Sequence, residues 1–173
     1  MSRAAEFEEL YRRHGREVWA AAYARRLDGE LAAEIAQETF LRLWRAAEAG
    51  ERLDNPRAWL MRVARNLAED TAKSAFRRHG TAGPDGLMSL VGRVEEPAQT
   101  LEAAELHATV RAVLGELPAA DRDILTLKYA LDYDAAAIAV VLEIQVSAVH
   151  MRLSRARQRL MDKLQDHGVS ELP

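Results

Sequence analysis

Between Ser147 and Leu164 the chain reads SAVHMRLSRARQRLMDKL, which gathers Arg152, Arg155, Arg157, Arg159 and Lys163, with His150 beside them. A guanidinium presents N–H donors in a fixed fork and no acceptor. Its natural counterparts are phosphate oxygens and the O6/N7 edge of guanine. A solvated helix face would use the same residues in i,i+4 ion pairs, but Asp162 is the one acid inside the stretch. Other chemistries lack residues to carry them. There is no Cys, and the five His are scattered without HExxH spacing, so no metal is expected. No carboxylate pair, nucleophile–base set or glycine-rich phosphate loop supports an enzyme, and no cofactor is expected.

Those cations need a helix behind them. Val149, Leu153, Ala156, Leu160 and Leu164 recur at steps of three and four, which predicts one buried stripe. The opposite face is then expected to carry His150, Arg152, Arg155, Arg159 and Lys163, with Arg157 at its edge. Upstream, Asp134 is a good N-cap for an alanine-rich helix over Ala135–Leu142, and Glu143-Ile144-Gln145 is a short turn. Two short helices across a tight turn, the second basic, make a helix-turn-helix. Before it, Pro118 opens a helix expected to run to about Tyr129, and another is expected from Thr100 to Leu114.

The N-terminal part predicts three more helices. The first spans residues 4–27 and ends at an Asp28-Gly29 turn. The second runs from about Leu31 to Ala47, with Ile35, Phe40, Leu43 and Trp44 as core. The third starts at Pro56, capped by Asn55, and continues through Trp59, Leu60, Val63, Ala64 and Leu67 towards Arg77-Arg78. From Gly80 to Pro97 the chain holds four of its nine glycines and two prolines, which reads as a flexible acidic linker. The fold class expected is all-α, two small helical domains at 1–79 and 100–173 with the linker at 80–99.

Charge is placed rather than spread. The net charge is −3, yet residues 1–79 carry 15 basic and 13 acidic groups, and five of the seven basic groups in residues 117–173 sit in the arginine helix. A nucleic-acid binder needs such patches, not a basic total. No apolar run is long enough to insert in a membrane, and MSRAAEFEEL lacks the apolar core of a signal segment, so a cytoplasmic protein is expected.

FEELYRRHGREVWAAAYARRL, EIAQETFLRLWRA and NPRAWLMRVARNLAEDTAKSAFRR together resemble region 2 of bacterial sigma factors. LPAADRDILTLKYALDYDAAAIAVVLEIQVSAVHMRLSRARQRLMDKL resembles their region 4. With no region 1 and no full region 3, the resemblance is to the extracytoplasmic-function group of the sigma-70 family. It implies a factor that binds core RNA polymerase through the β′ clamp helices and β flap and directs initiation at promoter −10 and −35 elements. An anti-sigma factor or other regulator is an implied partner. The rival reading is a helix-turn-helix regulator acting without polymerase.

The resemblance also implies sites. His150, Met151, Arg152, Ser154 and Arg155 take the positions that face −35 DNA, with Arg157 and Arg159 on phosphates. Asn66 matches a position in the −10 base pocket, with Arg62, Arg65, Lys73, Phe76, Arg77 and Arg78 around it. Glu34, Gln37, Glu38, Leu41 and Arg42 are the implied clamp contacts, Leu41 as an exposed apolar anchor. Trp44, Phe40 and Trp59 read as core. The chain departs from the family where an acidic cluster opens region 2.2: it has Leu31-Ala32-Ala33-Glu34. Clamp binding is therefore expected to be weaker, or to need a phosphoryl group or an accessory partner. In the region 4 turn, Glu143 and Gln145 stand where Gly and Ser are usual. His150-Met151 replaces a basic residue followed by Ser.

Overall fold

The computed structural model describes residues 2–71 and 100–169. Among them are seven α-helices, one π-helical turn and no strand. The helices divide into two units. α1 (Arg3–Arg26), α2 (Gly29–Glu48) and α3 (Pro56–Asp70) build the first. The second contains α4 (Leu101–Glu116), α5 (Ala119–Leu125), the π-turn (Thr126–Ala130), α6 (Ala135–Leu142) as far as Ala139, and α7 (Val146–Asp166). The expected linker and the end of the third predicted helix lie outside the described residues.

Local capping sets the ends of the first three helices. Ser2 and Asp28 accept from the N–H groups of Ala5 and Leu31 at 3.3 and 3.0 Å. Asn55 accepts from Ala58 at 3.0 Å, with Pro56 as the first helical residue. The Asp28-Gly29 turn differs from expectation: Gly29 already belongs to α2. The chain reverses at Leu27, which takes φ +54° while its N–H donates to the Tyr23 carbonyl at 2.7 Å. Asp28 is so effective a cap that the helix starts directly after it.

Alternating large and small side chains fill the first unit. Val18, Ile35, Phe40, Leu60 and Met61 are fully buried, and alanines such as Ala22, Ala32, Ala64 and Ala68 let the helices approach closely. Phe7, Tyr11, Phe40 and Trp44 form an aromatic cluster. Tyr11 meets Phe40 at 4.7 Å between centroids, and Phe7 meets Trp44 edge-on at 5.2 Å. Burial raises the Tyr11 phenol above its ordinary pKa. Phe40 is core as expected, whereas Trp44 and Trp59 are half-buried at the rim. A polar tie crosses the helices: Arg57 donates to both Glu17 oxygens at 3.0 and 2.7 Å, and buried His14 sits 3.2 Å from the same carboxylate.

The second unit is centred on Val113, Leu117, Ile124, Leu127, Tyr133, Ile138, Val149 and Leu153. The helix expected to reach Tyr129 stops being α-helical at Leu125. The π-turn follows, with the Leu131 N–H reaching back to the Thr126 carbonyl at 3.0 Å. Such widened turns recur at functional sites.

All three tryptophans, Trp19, Trp44 and Trp59, belong to the first unit, so their fluorescence reports its unfolding alone. Phe40→Ala is expected to destabilise that unit by about 3–5 kcal/mol, measured as a shift of the tryptophan transition in urea. An unshifted midpoint would show that Phe40 is not the keystone of this core.

Candidate nucleic-acid interface

Asp134 caps α6 by accepting from Ala137 at 2.7 Å. The axes of α6 and α7 differ by 97°, within the range of a helix-turn-helix. The turn between them holds Glu143 at φ +55°, the left-handed angle that suits glycine, and Gln145 at the N-cap makes no side-chain cap bond. Both substitutions are therefore carried by the fold rather than by local preference.

The stripe of α7 is as expected at Val149, Leu153, Ala156 and Leu164, all buried, and Leu160 is half-buried. Its cations are not arranged as expected. Stepping about 100° per residue, they divide among two flanks and an outer face. Arg159 lies on the flank towards α5, where its Nη1 donates to both oxygens of Asp121 at 2.9 and 2.8 Å. Lys163 and His167 on the same side meet Glu116 at 3.1 and 2.6 Å. Arg159 is exposed, as the sequence predicts, but like the half-buried Lys163 it is engaged by an acid. The acids that hold them come from other helices, distant in the sequence. Arg159 is consequently part of the scaffold that sets the rotation of α7.

The outer face, opposite the stripe, presents Met151, Ser154, Arg155 and Gln158, all exposed. Met151 is 55% exposed, unusual for a large apolar side chain. Arg152 and Arg155 make no ion pair among the described residues. His150 and Arg157 occupy the remaining flank, seven residues and two turns apart, and Arg157 donates to the Tyr129 hydroxyl at 3.3 Å. Near the far end Gln158 donates to Asp162 at 2.9 Å. That acid bounds the donor-rich surface to the N-terminal three turns. Sequence reasoning missed Gln158 and Tyr129. The helical period offers a signal for Gln158, and none marks Tyr129.

In the first unit, Arg62, Arg65 and Asn66 share one face of α3, the arginines half-buried and Asn66 exposed. Lys73, Phe76, Arg77 and Arg78 lie outside the described residues. On α2, Glu34 is exposed and Glu38 accepts from Arg42 at 2.9 Å. Two expectations are corrected here. Gln37 is 8% exposed, so it is not on the open face with Glu34, and Leu41 is half-buried rather than an exposed anchor. Gln37 lies three residues before buried Phe40 and Leu41 three before half-buried Trp44, so both border the apolar stripe.

Hydrogen bonding to His167, then to Lys163, holds the Glu116 carboxyl below the usual carboxylate range. A carboxyl depressed by folding stabilises above its unfolded pKa and loses that contribution as pH falls through its folded one.

Comparison with known proteins supplies the family context. The Sigma-70 region 2 model matches residues 10–80, and the Sigma-70, region 4 model matches residues 107–160. The extracytoplasmic-function RNA polymerase sigma factor SigL of Mycobacterium tuberculosis is 33% identical over 170 residues, covering 96% of this chain and 93% of SigL. Two solved structures share the fold. One is the sigma factor RpoE in complex with the anti-sigma factor NepR from Bartonella quintana, at TM-score 0.65 and 18% identity over 92% of this chain and 97% of that one. The other is CnrH in complex with the cytosolic domain of CnrY, at TM-score 0.64 and 24% identity over 95% of this chain and 91% of that one.

Two outcomes follow for α7. Arg159→Ala is expected to strip a buried carboxylate of its partner and cost about 1–3 kcal/mol, more than Asp121→Ala, which removes the carboxylate itself. Circular dichroism melts of the two variants check the order, and the reverse order would exclude a scaffold role for the pair. The Glu116 contacts are expected to hold from neutral pH into mild acid and to be lost only below the ordinary carboxylate range. An NMR titration of the Glu116 side chain with a midpoint at or above the ordinary value would contradict this.

Proposed function

We infer the division of labour below from one premise: the chain belongs to the extracytoplasmic-function group of the sigma-70 family of RNA polymerase sigma factors. It is a promoter-specificity factor, which binds core RNA polymerase and directs transcription initiation. The observation that carries this is the order of the two matches, region 2 then region 4. A regulator acting without polymerase has no use for the first of them.

On this reading residues 1–79 serve as the region 2 domain, 80–99 as a linker and 100–173 as the region 4 domain. α7 lies in the major groove of the −35 element. Arg155, on the outer face and paired with no acid among the described residues, reads a base edge, where a bidentate pair with guanine discriminates by about 1–3 kcal/mol. Met151 offers apolar contact to a thymine methyl, and His150, Arg152, Ser154 and Arg157 meet the neighbouring backbone or bases. Arg159 acts indirectly by holding the helix at its angle.

Asn66 supplies the amide for an unstacked −10 base. Arg62 and Arg65, with Lys73, Phe76, Arg77 and Arg78, support the single strand. Glu34 and the Glu38–Arg42 pair are the polar groups offered to the clamp. Their small negative charge supports weak clamp binding that an accessory partner or a phosphoryl group strengthens. An anti-sigma factor is a further partner, on the likeness to RpoE, which is bound by the anti-sigma factor NepR. The chain works beside polymerase in the bacterial cytoplasm and forms no covalent bond itself.

Run-off transcription with purified core polymerase on genomic fragments tests this. Initiation at discrete sites is expected. Arg155→Ala is expected to lower occupancy roughly 5- to 150-fold and to relax selection at one −35 position. Asn66→Ala is expected to reduce promoter opening, read by permanganate footprinting, without altering the −35 footprint. Failure to direct any initiation, alone or with a phosphorylated chain, would sink the reading.

A further inference from the structure

We propose that the outward face of α1 binds single-stranded DNA, with bases stacked on Trp19 and Tyr23 and phosphates held by Arg16 and Arg26. The ligand class follows from the chemistry of the face, and only the origin of the strand, an opened promoter, rests on the sigma-factor reading. At about 100° per residue, Arg12, Arg16, Trp19, Tyr23 and Arg26 fall within an arc of about 80°, clear of the buried row of Tyr11, His14, Val18 and Ala22. The three arginines are exposed and both rings half-buried. Trp19 and Tyr23 stack with centroids 4.9 Å apart and 9° between their planes. Trp19 Nε1 donates to the Gly29 carbonyl at 3.3 Å, which ties the indole by its edge to the start of α2. No third ring joins the stack among the described residues, so each ring keeps one face that no aromatic covers. A Cβ at Gly15, one turn before Trp19, would meet nothing within 4 Å, which leaves the surface beside the indole open.

Charge on this helix is sorted by side. From Leu10 to Leu27 there are five arginines and one acid, Glu17. Glu17 is turned to α3, where Arg57 holds both its oxygens. Arg25 meets Glu69 at 3.3 Å, and Arg12 pairs with Glu9. Arg16 and Arg26 make no ion pair among the described residues. They bracket the rings, Arg16 three residues before Trp19 and Arg26 three after Tyr23. Rings between uncompensated cations match a single strand, whose phosphates need the cations and whose unstacked bases need flat apolar faces. A duplex presents phosphates but keeps its base faces stacked on one another, so it leaves the rings unused. The face also differs from the Asn66 position, where an amide meets a base edge.

The test is fluorescence anisotropy of labelled oligonucleotides across a salt series, on the full chain alone and with core polymerase. A thymine strand, an abasic strand of equal length and a random-sequence duplex separate base stacking from charge. Tyr23→Leu is expected to weaken thymine-strand binding about 5- to 150-fold and to leave abasic-strand and duplex binding unchanged. Tyr23→Phe keeps the ring and is expected to bind as the wild type does. Arg16→Gln is expected to weaken binding of both single strands and to lower the salt slope by about 0.7. Melts by circular dichroism identify any loss through misfolding, and the exposed Arg16 provides a second variant outside the packed surface.

Unchanged thymine-strand affinity in Tyr23→Leu and Arg16→Gln overturns the proposal, as does a wild type that binds no single strand in either form. Equal losses on the thymine and abasic strands in Tyr23→Leu remove the stacking role and overturn it too. Tighter binding of a uridine RNA strand, lost in the same variants, would reassign the face to RNA. Lower affinity of the variants for core polymerase, with DNA binding intact, would reassign it to a protein partner, and either outcome overturns the proposal. A chain that starts transcription while its variants bind strands normally loses this face and keeps the sigma reading. A chain that starts no transcription, yet loses strand binding in the variants, keeps the face and loses that reading.

Discussion

Asp121 is 7% exposed, and burying a carboxylate at such depth is costly unless it is paired. It finds Arg159, which meets both of its oxygens from the side of α7. A helix can roll about its axis at little cost to its apolar stripe, because the stripe is broad and its contacts are non-directional. A guanidinium held by two oxygens is directional. The pair thus fixes which residues of α7 look outward, and Met151, Ser154 and Arg155 depend on it for their aim. The Glu116 contacts repeat the restraint one turn later, near the end of the helix.

The first unit solves a related problem with less polar means. Its three helices approach across alanines, so their spacing is set by backbone bulk rather than by rotamers. The Arg57–Glu17–His14 tie then orients α3 against α1. On α3, Asn66 faces solvent while Leu67 and Ala68 beside it are buried. The position of that amide is therefore inherited from the packing of its neighbours.

Local signals made much of this legible. Asn55 and Asp134 cap their helices because capping needs only the next three residues. The apolar stripe of α7 follows from spacing alone. What escaped was set by partners distant in the chain. Asp121 lies 38 positions from Arg159, so the residues around the cation show no acid to engage it. Gln37 and Leu41 read from the sequence as open-face residues, yet both border the buried stripe of α2. The π-turn left no trace in a pattern that reads as continuous helix to Tyr129, and with it the position of that tyrosine was hidden.

Among the described residues three non-glycine residues adopt left-handed angles: Leu27, Asp132 and Glu143. Each such residue costs about 1–2 kcal/mol relative to the right-handed region, while glycine there would cost about 0.5–1 kcal/mol in unfolded-state freedom. The second offsets about half of the first. Drift between glycine and other residues at these reversals therefore changes stability by only about 0.5–1 kcal/mol, small beside the roughly 5–15 kcal/mol of a typical domain. The turn before a recognition helix can diverge among relatives, and alter the surface it shows to DNA, without passing through an unfolded ancestor.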